Sequence, residues 1–114
     1  MKSINSGYGE WANFPIDPTQ VLEGEPRAMV RWLHQNGEHE RAYYCGVWRA
    51  ERSRFRWDFD VNETAHILRG RIRVTEDGGE PQEYGSGDVV FFRKGARTVW
   101  DVLEPFEKVF VDSA

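Results

Sequence analysis

Between Arg54 and Gly70 the chain reads RFRWDFDVNETAHILRG, and its polar and apolar positions alternate. Successive side chains of a strand point to opposite sides, so Phe55, Trp57 and Phe59 share one face while Arg54, Arg56, Asp58 and Asp60 share the other. Carried across Val61 and Asn62, the alternation puts Glu63, Ala65 and Ile67 on the aromatic side. The pattern thus predicts a carboxylate, Glu63, entering an apolar interior, where it must take up a proton or meet a cation.

Comparable short segments rich in Val, Ile, Phe, Tyr and Trp follow from Arg41 onward, separated by turn residues at roughly 8 to 12 positions. They predict strands at Ala42–Arg49, Arg54–Asp60, Thr64–Leu68, Arg71–Glu76, Gln82–Tyr84, Asp88–Phe92, Thr98–Leu103 and Glu107–Val111. Asp77-Gly78-Gly79 closes a hairpin, Gly85 to Asp88 is a tight reversal, and Lys94-Gly95 and Glu104-Pro105 break the last two pairs. Upstream, Arg27–His34 fits both periods, with Met29, Trp32 and Leu33 on a helical face or Ala28, Val30 and Trp32 on a strand face; the strand is preferred. QNGE at Gln35–Glu38 predicts a turn. Residues 1–20 hold Pro15 and Pro18 and no sustained period, so they read as an extended arm over the domain, of a sort that often pairs with a neighbouring subunit. Residues 21–114 form a single domain, all-β, of sandwich or barrel type.

A chain of 114 residues makes about one domain with one core. Its 39% hydrophobic and 30% charged residues suit a folded soluble protein. The five Trp are enough to fill a small barrel core and still line a pocket. No stretch approaches the ~20 apolar residues that cross a bilayer, and MKSINSGYGEW lacks the apolar core of a signal peptide, which points to the cytoplasm. The lone Cys45 cannot form an internal disulfide and reads as a small hydrophobe. A net charge of -4 argues against a nucleic-acid surface; the alternating Arg69, Arg71 and Arg73 read as a solvated strand face. No Ser-His-Asp or Cys-His set, phosphate loop or dinucleotide fingerprint is present.

Glu63 with Gly70 seven positions later, and the run from Gly87 through DVVFF, Arg93 and Lys94 to Gly95, resemble the two short motifs of the cupin superfamily, the RmlC-like jelly rolls. More narrowly, GVW at Gly46 to Trp48, FRWDFDVNETAHILRGRIRVTEDGG, GDVVFF, Trp100 and the terminal EKVFV are similar to small single-domain cupins related to the cupin part of (S)-ureidoglycine aminohydrolase. The resemblance, which covers roughly Val21 to Val111, implies a small jelly-roll β-barrel (a double-stranded β-helix) with the pocket inside, paired into homodimers through edge strands and the N-terminal arm. Metal-binding cupins hold their ion with two His and the Glu of the first motif and the His of the second. Here the first two His slots fall on Trp57 and Phe59 at one spacing, or Arg56 and Asp58 at the other, and the last holds Thr98. Without an imidazole, a carboxylate and a hydroxyl fall short of the three or four donors a transition metal needs. No metal and no other cofactor is expected. Arg93 occupies the proline slot of the second motif.

Glu63 is the candidate catalytic residue, as a proton shuttle or as a partner for a ligand's cationic group; the plainer alternative is a carboxylate satisfied by backbone N–H groups and a nearby cation. Trp57 and Phe59 are candidate walls of the ligand pocket. Arg97 and Trp100 follow the second motif near the barrel mouth, where Arg97 can grip a ligand carboxylate bidentately; Trp100, like Trp48, also fits the core. Lys108 shares a strand face with Phe110, and cupins of this kind often carry a Lys there, so it can supply Glu63 with a cation or else stand on an edge strand. His66, at an odd separation from Glu63, points to the opposite face and reads as structural. His34 and His39 flank a turn and face solvent. Three functions compete: a metal-independent cupin that binds a small polar metabolite with acid-base chemistry by Glu63, a non-catalytic ligand-sensing or accessory dimer, and a metal-dependent aminohydrolase like the ureidoglycine relatives. In each the partner is a small molecule, not a nucleic acid or a membrane.

Overall fold

In the computed structural model, which describes residues 9–36 and 42–114, the alternating stretches become strands of one curled antiparallel sheet, an all-β half-barrel of jelly-roll type. They are β1 (Ala12–Asn13), β2 (Val21–Gly24), β3 (Met29–Asn36), β4 (Tyr43–Ala50), β5 (Ser53–Asp58), β6 (Asn62–Glu76), β7 (Gln82–Gly85), β8 (Val89–Phe92) and β9 (Arg97–Ser113), with one turn of 3-10 helix at Pro18–Gln20. Across the sheet the order is β1-β3-β4-β9-β5-β2. The other edge of β9 pairs with β6, which in turn carries β8 and β7.

β9 closes both walls. Its residues Phe106 to Ser113 pair with β4, its residues Arg97 to Val102 pair with β5, and β6 runs along its opposite edge. Thr98, Trp100, Val102, Phe106, Lys108 and Phe110 are all buried and all even-numbered, so one alternation governs the inner face of the whole strand.

The predicted pairs Thr64–Leu68 with Arg71–Glu76 and Thr98–Leu103 with Glu107–Val111 are each one continuous strand, of 15 and 17 residues. Gly70 and Pro105 kink these strands without ending them. Register between β6 and β9 slips from Ile67 to Ile72, and the buried positions of β6 change from Glu63, Ala65 and Ile67 to Ile72 and Val74. That is the phase change a bulge imposes, and a bulge is also where a sheet tolerates proline. Gly70 sits at φ 86, and a Cβ there would strike the Pro105 carbonyl and lie 2.8 Å from the Phe106 Cα. Only glycine lets the two backbones approach so closely.

Below this bend the core is largely aromatic. Phe55, Phe106 and Trp100 are among its most buried side chains, with Trp100 stacked on Phe55 at 6.1 Å and edge-on to Phe106 at 6.0 Å. Phe59 stacks on Phe92 at 4.7 Å. Arg27–His34 is extended from Met29 on, with Val30 buried and Trp32 half-buried. Gln35 and Asn36, predicted in a turn, continue β3, while the rest of that turn and His39 lie outside the described residues. β2 was not predicted; VLEG does not alternate cleanly, and its pairing with β5 slips register between Val21 and Glu23.

The described part of the arm lies on its own chain. Ala12 and Asn13 pair with Val30 and Met29, and the Phe14 N–H donates to the Ala28 carbonyl at 2.9 Å. The Phe14 ring then reaches Trp57 at 5.8 Å and Trp48 at 6.4 Å. On the outer face, one cross-strand row runs Phe91, Thr64, Val111, Cys45, with Phe91 exposed and Cys45 half-buried. His66 faces outward on the next row beside Val89 and Val109. No helix among the described residues is long and apolar enough to cross a membrane.

Candidate functional site

Above the bend the inner face of β9 changes character. Lys108 and Asp112 flank Phe110 on it, and β6 brings Glu63 directly across from Asp112. Glu63 and Lys108 are 5% and 6% exposed, and the Lys108 ammonium donates to Glu63 Oε2 in a buried ion pair. The cation that an interior carboxylate requires is therefore Lys108. Its Nζ also lies 5.0 Å from the Trp48 ring and 4.9 Å from the Trp100 ring, so π faces border the ammonium on two sides.

Asp112 is half-buried and completes the group. Burial pushes its carboxyl up to about 8, helped by the Glu63 charge and by the hydrogen bond its protonated form shares with Glu63; Lys108 opposes the rise and Asp60 adds to it. At neutral pH Glu63 thus lies between an ammonium and a neutral carboxyl. Such an arrangement can pass a proton along three groups without creating a second isolated charge. Two polar atoms here are buried without a protein partner, Trp100 Nε1 and Asp112 Oδ1.

These side chains line a chamber of about 50 Å3 together with Phe14, Trp32, Phe55, Trp57 and Phe110. That admits a ligand of only a few heavy atoms. Phe14, Trp32, Trp57, Glu63 and Asp112 also line a wider mouth of about 590 Å3, which Asp60 and Lys94 rim.

Glu63, Trp57, Trp100 and Lys108 therefore meet at one chamber. Phe59 is mostly core and touches only the mouth. Arg97 does not join them: it is exposed and pairs across the sheet with Asp58 on the outer side, while its neighbour Thr98 faces in. Parity explains this, since Arg97 and Trp100 are three apart on one strand and cannot share a face. The sequence reading missed Asp112, although the period that places Lys108 and Phe110 inward continues to it. It also missed Trp32 as a wall, and Phe14, for which the arm gives no pattern.

A His-ligated metal does not fit this donor set. Trp57 is a wall, Phe59 is stacked on Phe92, Thr98 Oγ1 donates to the Trp57 carbonyl at 2.6 Å, and Arg56 and Asp58 face outward. Glu63 is already neutralised by Lys108, and no group of three or more metal-ligating side chains occurs among the described residues.

A protein of the DUF861 family from Thermotoga maritima is 44% identical to this chain over 56% of its length and 73% of the relative's, with a TM-score of 0.55. The EutQ protein of Clostridium difficile, at 15% identity, covers 93% of this chain and 94% of its own with a TM-score of 0.67. Another DUF861 protein, from Pseudomonas syringae pv. tomato, reaches 0.80 at 19% identity over 91% of this chain and 44% of its own. The latter two likenesses speak for the fold alone. No curated protein matches. The EutQ-like cupin domain matches residues 37–110, which span the barrel strands from β4 into β9, both cupin motifs, Glu63 and Lys108. By that match the chain belongs to the EutQ-like cupin domain family.

Proposed function

We propose that this domain binds a small polar metabolite inside its half-barrel without a His-ligated metal, and that Glu63, set between Lys108 and Asp112, moves a proton on that ligand. The observation that carries the reading is the buried Glu63–Lys108 pair on a chamber wall that also holds an unpartnered donor and an unpartnered acceptor. Structural ion pairs usually complete their own hydrogen bonding, whereas this one borders polar atoms that a ligand can satisfy. Acid-base steps of the lyase or isomerase kind use such a shuttle, and an amidohydrolase step adds a water molecule as nucleophile. The sequence resemblance makes ureido compounds the first to screen, followed by sugars and small acids. With a substrate found, Glu63→Gln is expected to abolish turnover while binding stays within a few fold. Equal turnover in both proteins removes Glu63 from the chemistry.

A second reading, a ligand-sensing or accessory homodimer, is favoured by one observation: the exposed Val89, Phe91, Val111 and Tyr43 on the outer face offer an apolar surface for a second copy to cover. Sedimentation shows whether two copies pair, and binding of a metabolite with no turnover of any compound in the screen selects this reading over the first.

A further inference from the structure

Lys108 is a cation on the chamber wall, but its geometry argues against its serving as an anion-binding group. An ammonium has three donors; one is taken by Glu63 Oε2, and the Trp48 and Trp100 rings lie over the Nζ at 5.0 and 4.9 Å. A ligand carboxylate would find that cation already engaged and would first have to pass Asp60, Glu63 and Asp112, which line the mouth. The acceptor left open in the site, on a carboxyl that can ionise, suits the opposite charge. Asp112 Oδ1 is buried without a partner, and Phe14, Trp32 and Trp57 wall the same chamber with π faces. Trp100, 2% exposed, lines it too with its Nε1 unpartnered, so the chamber has polar demands its own side chains leave unmet.

We propose that the ligand is a small organic cation, a primary amine or ammonium compound of a few heavy atoms, whose charge docks against Asp112 among the rings of Phe14, Trp32 and Trp57 and drives the carboxyl proton out to solvent. This rests on the reading of the chamber as a binding site and names its ligand class. The balance is simple. The ligand keeps its ammonium charge, the Asp112 O–H bond breaks, the carboxylate becomes the counter-ion, and the proton passes to buffer. Aromatic walls around a carboxylate are a general recognition device for such cations.

The groups that face Asp112 set the pH response. They are Glu63 from β6, Tyr44 from β4 and Lys108 from β9 itself, with Asp60 before β6 and Lys94 before β9 at the mouth. Because burial and Glu63 hold the carboxyl near 8, the proton is present at pH 7 and a cation must displace it. Affinity for the cation therefore rises about tenfold per pH unit below 8 and levels off above it.

The test titrates the whole chain with ethylammonium, acetamide and acetate, read by tryptophan fluorescence and by calorimetry in two buffers of different ionisation enthalpy. Ethylammonium alone is expected to bind, releasing close to one proton per ligand at pH 7, with the stated rise toward pH 8. Asp112→Asn is expected to lose the proton release and the pH dependence. If acetamide or acetate binds and ethylammonium does not, the cation proposal fails while the chamber remains a ligand site. If none of the three binds, both are overturned. Ethylammonium binding without proton release, or with unchanged affinity in Asp112→Asn, also overturns the assignment. The proton count and pH profile of the unmodified protein decide the matter even if the variant does not fold.

Discussion

The two halves of β9 present the same alternation to the same interior and do different things with it. From Arg97 to Phe106 the buried inward positions are Thr98, Trp100, Val102 and Phe106, with Trp100 packed against the rings of Phe55 and Phe106. Past Phe106 they are Lys108, Phe110 and Asp112, and space opens between them. The change falls at the bend where Gly70 meets Pro105. Apolar contact fixes the lower half, whereas the upper half depends on charges that compensate one another, so similar damage should have different consequences in each.

The largest expected effect lies in the packed half. Phe106 is 0% exposed, and Phe106→Ala should cost about 4 kcal/mol, through lost transfer energy and the cavity left behind. Urea unfolding measures it, and a loss under 1 kcal/mol would mean that the lower half collapses freely and the contrast is false. In the upper half, Lys108→Met strands the Glu63 charge and should cost about 3 kcal/mol, since a buried charge without its partner is worse than no pair at all. Adding Glu63→Gln to that variant should recover most of the loss. A double variant as unstable as the single one breaks the claim of mutual compensation.

The pH response sharpens the same contrast. Asp112 holds a proton in the fold up to about 8, whereas an ordinary carboxyl near 3.8 has lost it. Between these values the folded state binds more protons than the unfolded one, so this residue's contribution makes stability fall as pH rises through that window and level off above about 8. The pH dependence of wild-type stability minus that of Asp112→Asn isolates it; a flat difference would refute the assignment. The smallest effect belongs to the outer surface, where Arg69→Ala removes the 2.9 Å pair with Glu107 and should change stability by less than about 1 kcal/mol, given an Arg side chain that is 53% exposed.

Period-two reasoning carried far here because every wall of the chamber except Phe14 comes from a strand. It put Trp57 and Glu63 on the interior, left Lys108 between the inner face and an edge strand, and stopped short of Asp112. The parity that admits Trp100 excludes Arg97, and the parity that admits Lys108 admits Asp112. It failed at the bends, since a kink at Gly70 or Pro105 looks the same in sequence whether the chain turns back or runs on as one strand. It had nothing to say about Phe14, whose place comes from the short ladder holding the arm against β3.

The position of β9 in the chain has a consequence for biogenesis. The ladders β3–β4, β2–β5 and β6 with β7 and β8 can each form from residues translated earlier, yet β4, β5 and β6 acquire their shared neighbour only when the ninth strand emerges from the ribosome. Until then the edges it will cover stand open to other chains, so these hairpins wait in a condition prone to aggregation. Closure, core and chamber must then arrive together, in a late step dominated by long-range pairing and correspondingly slow.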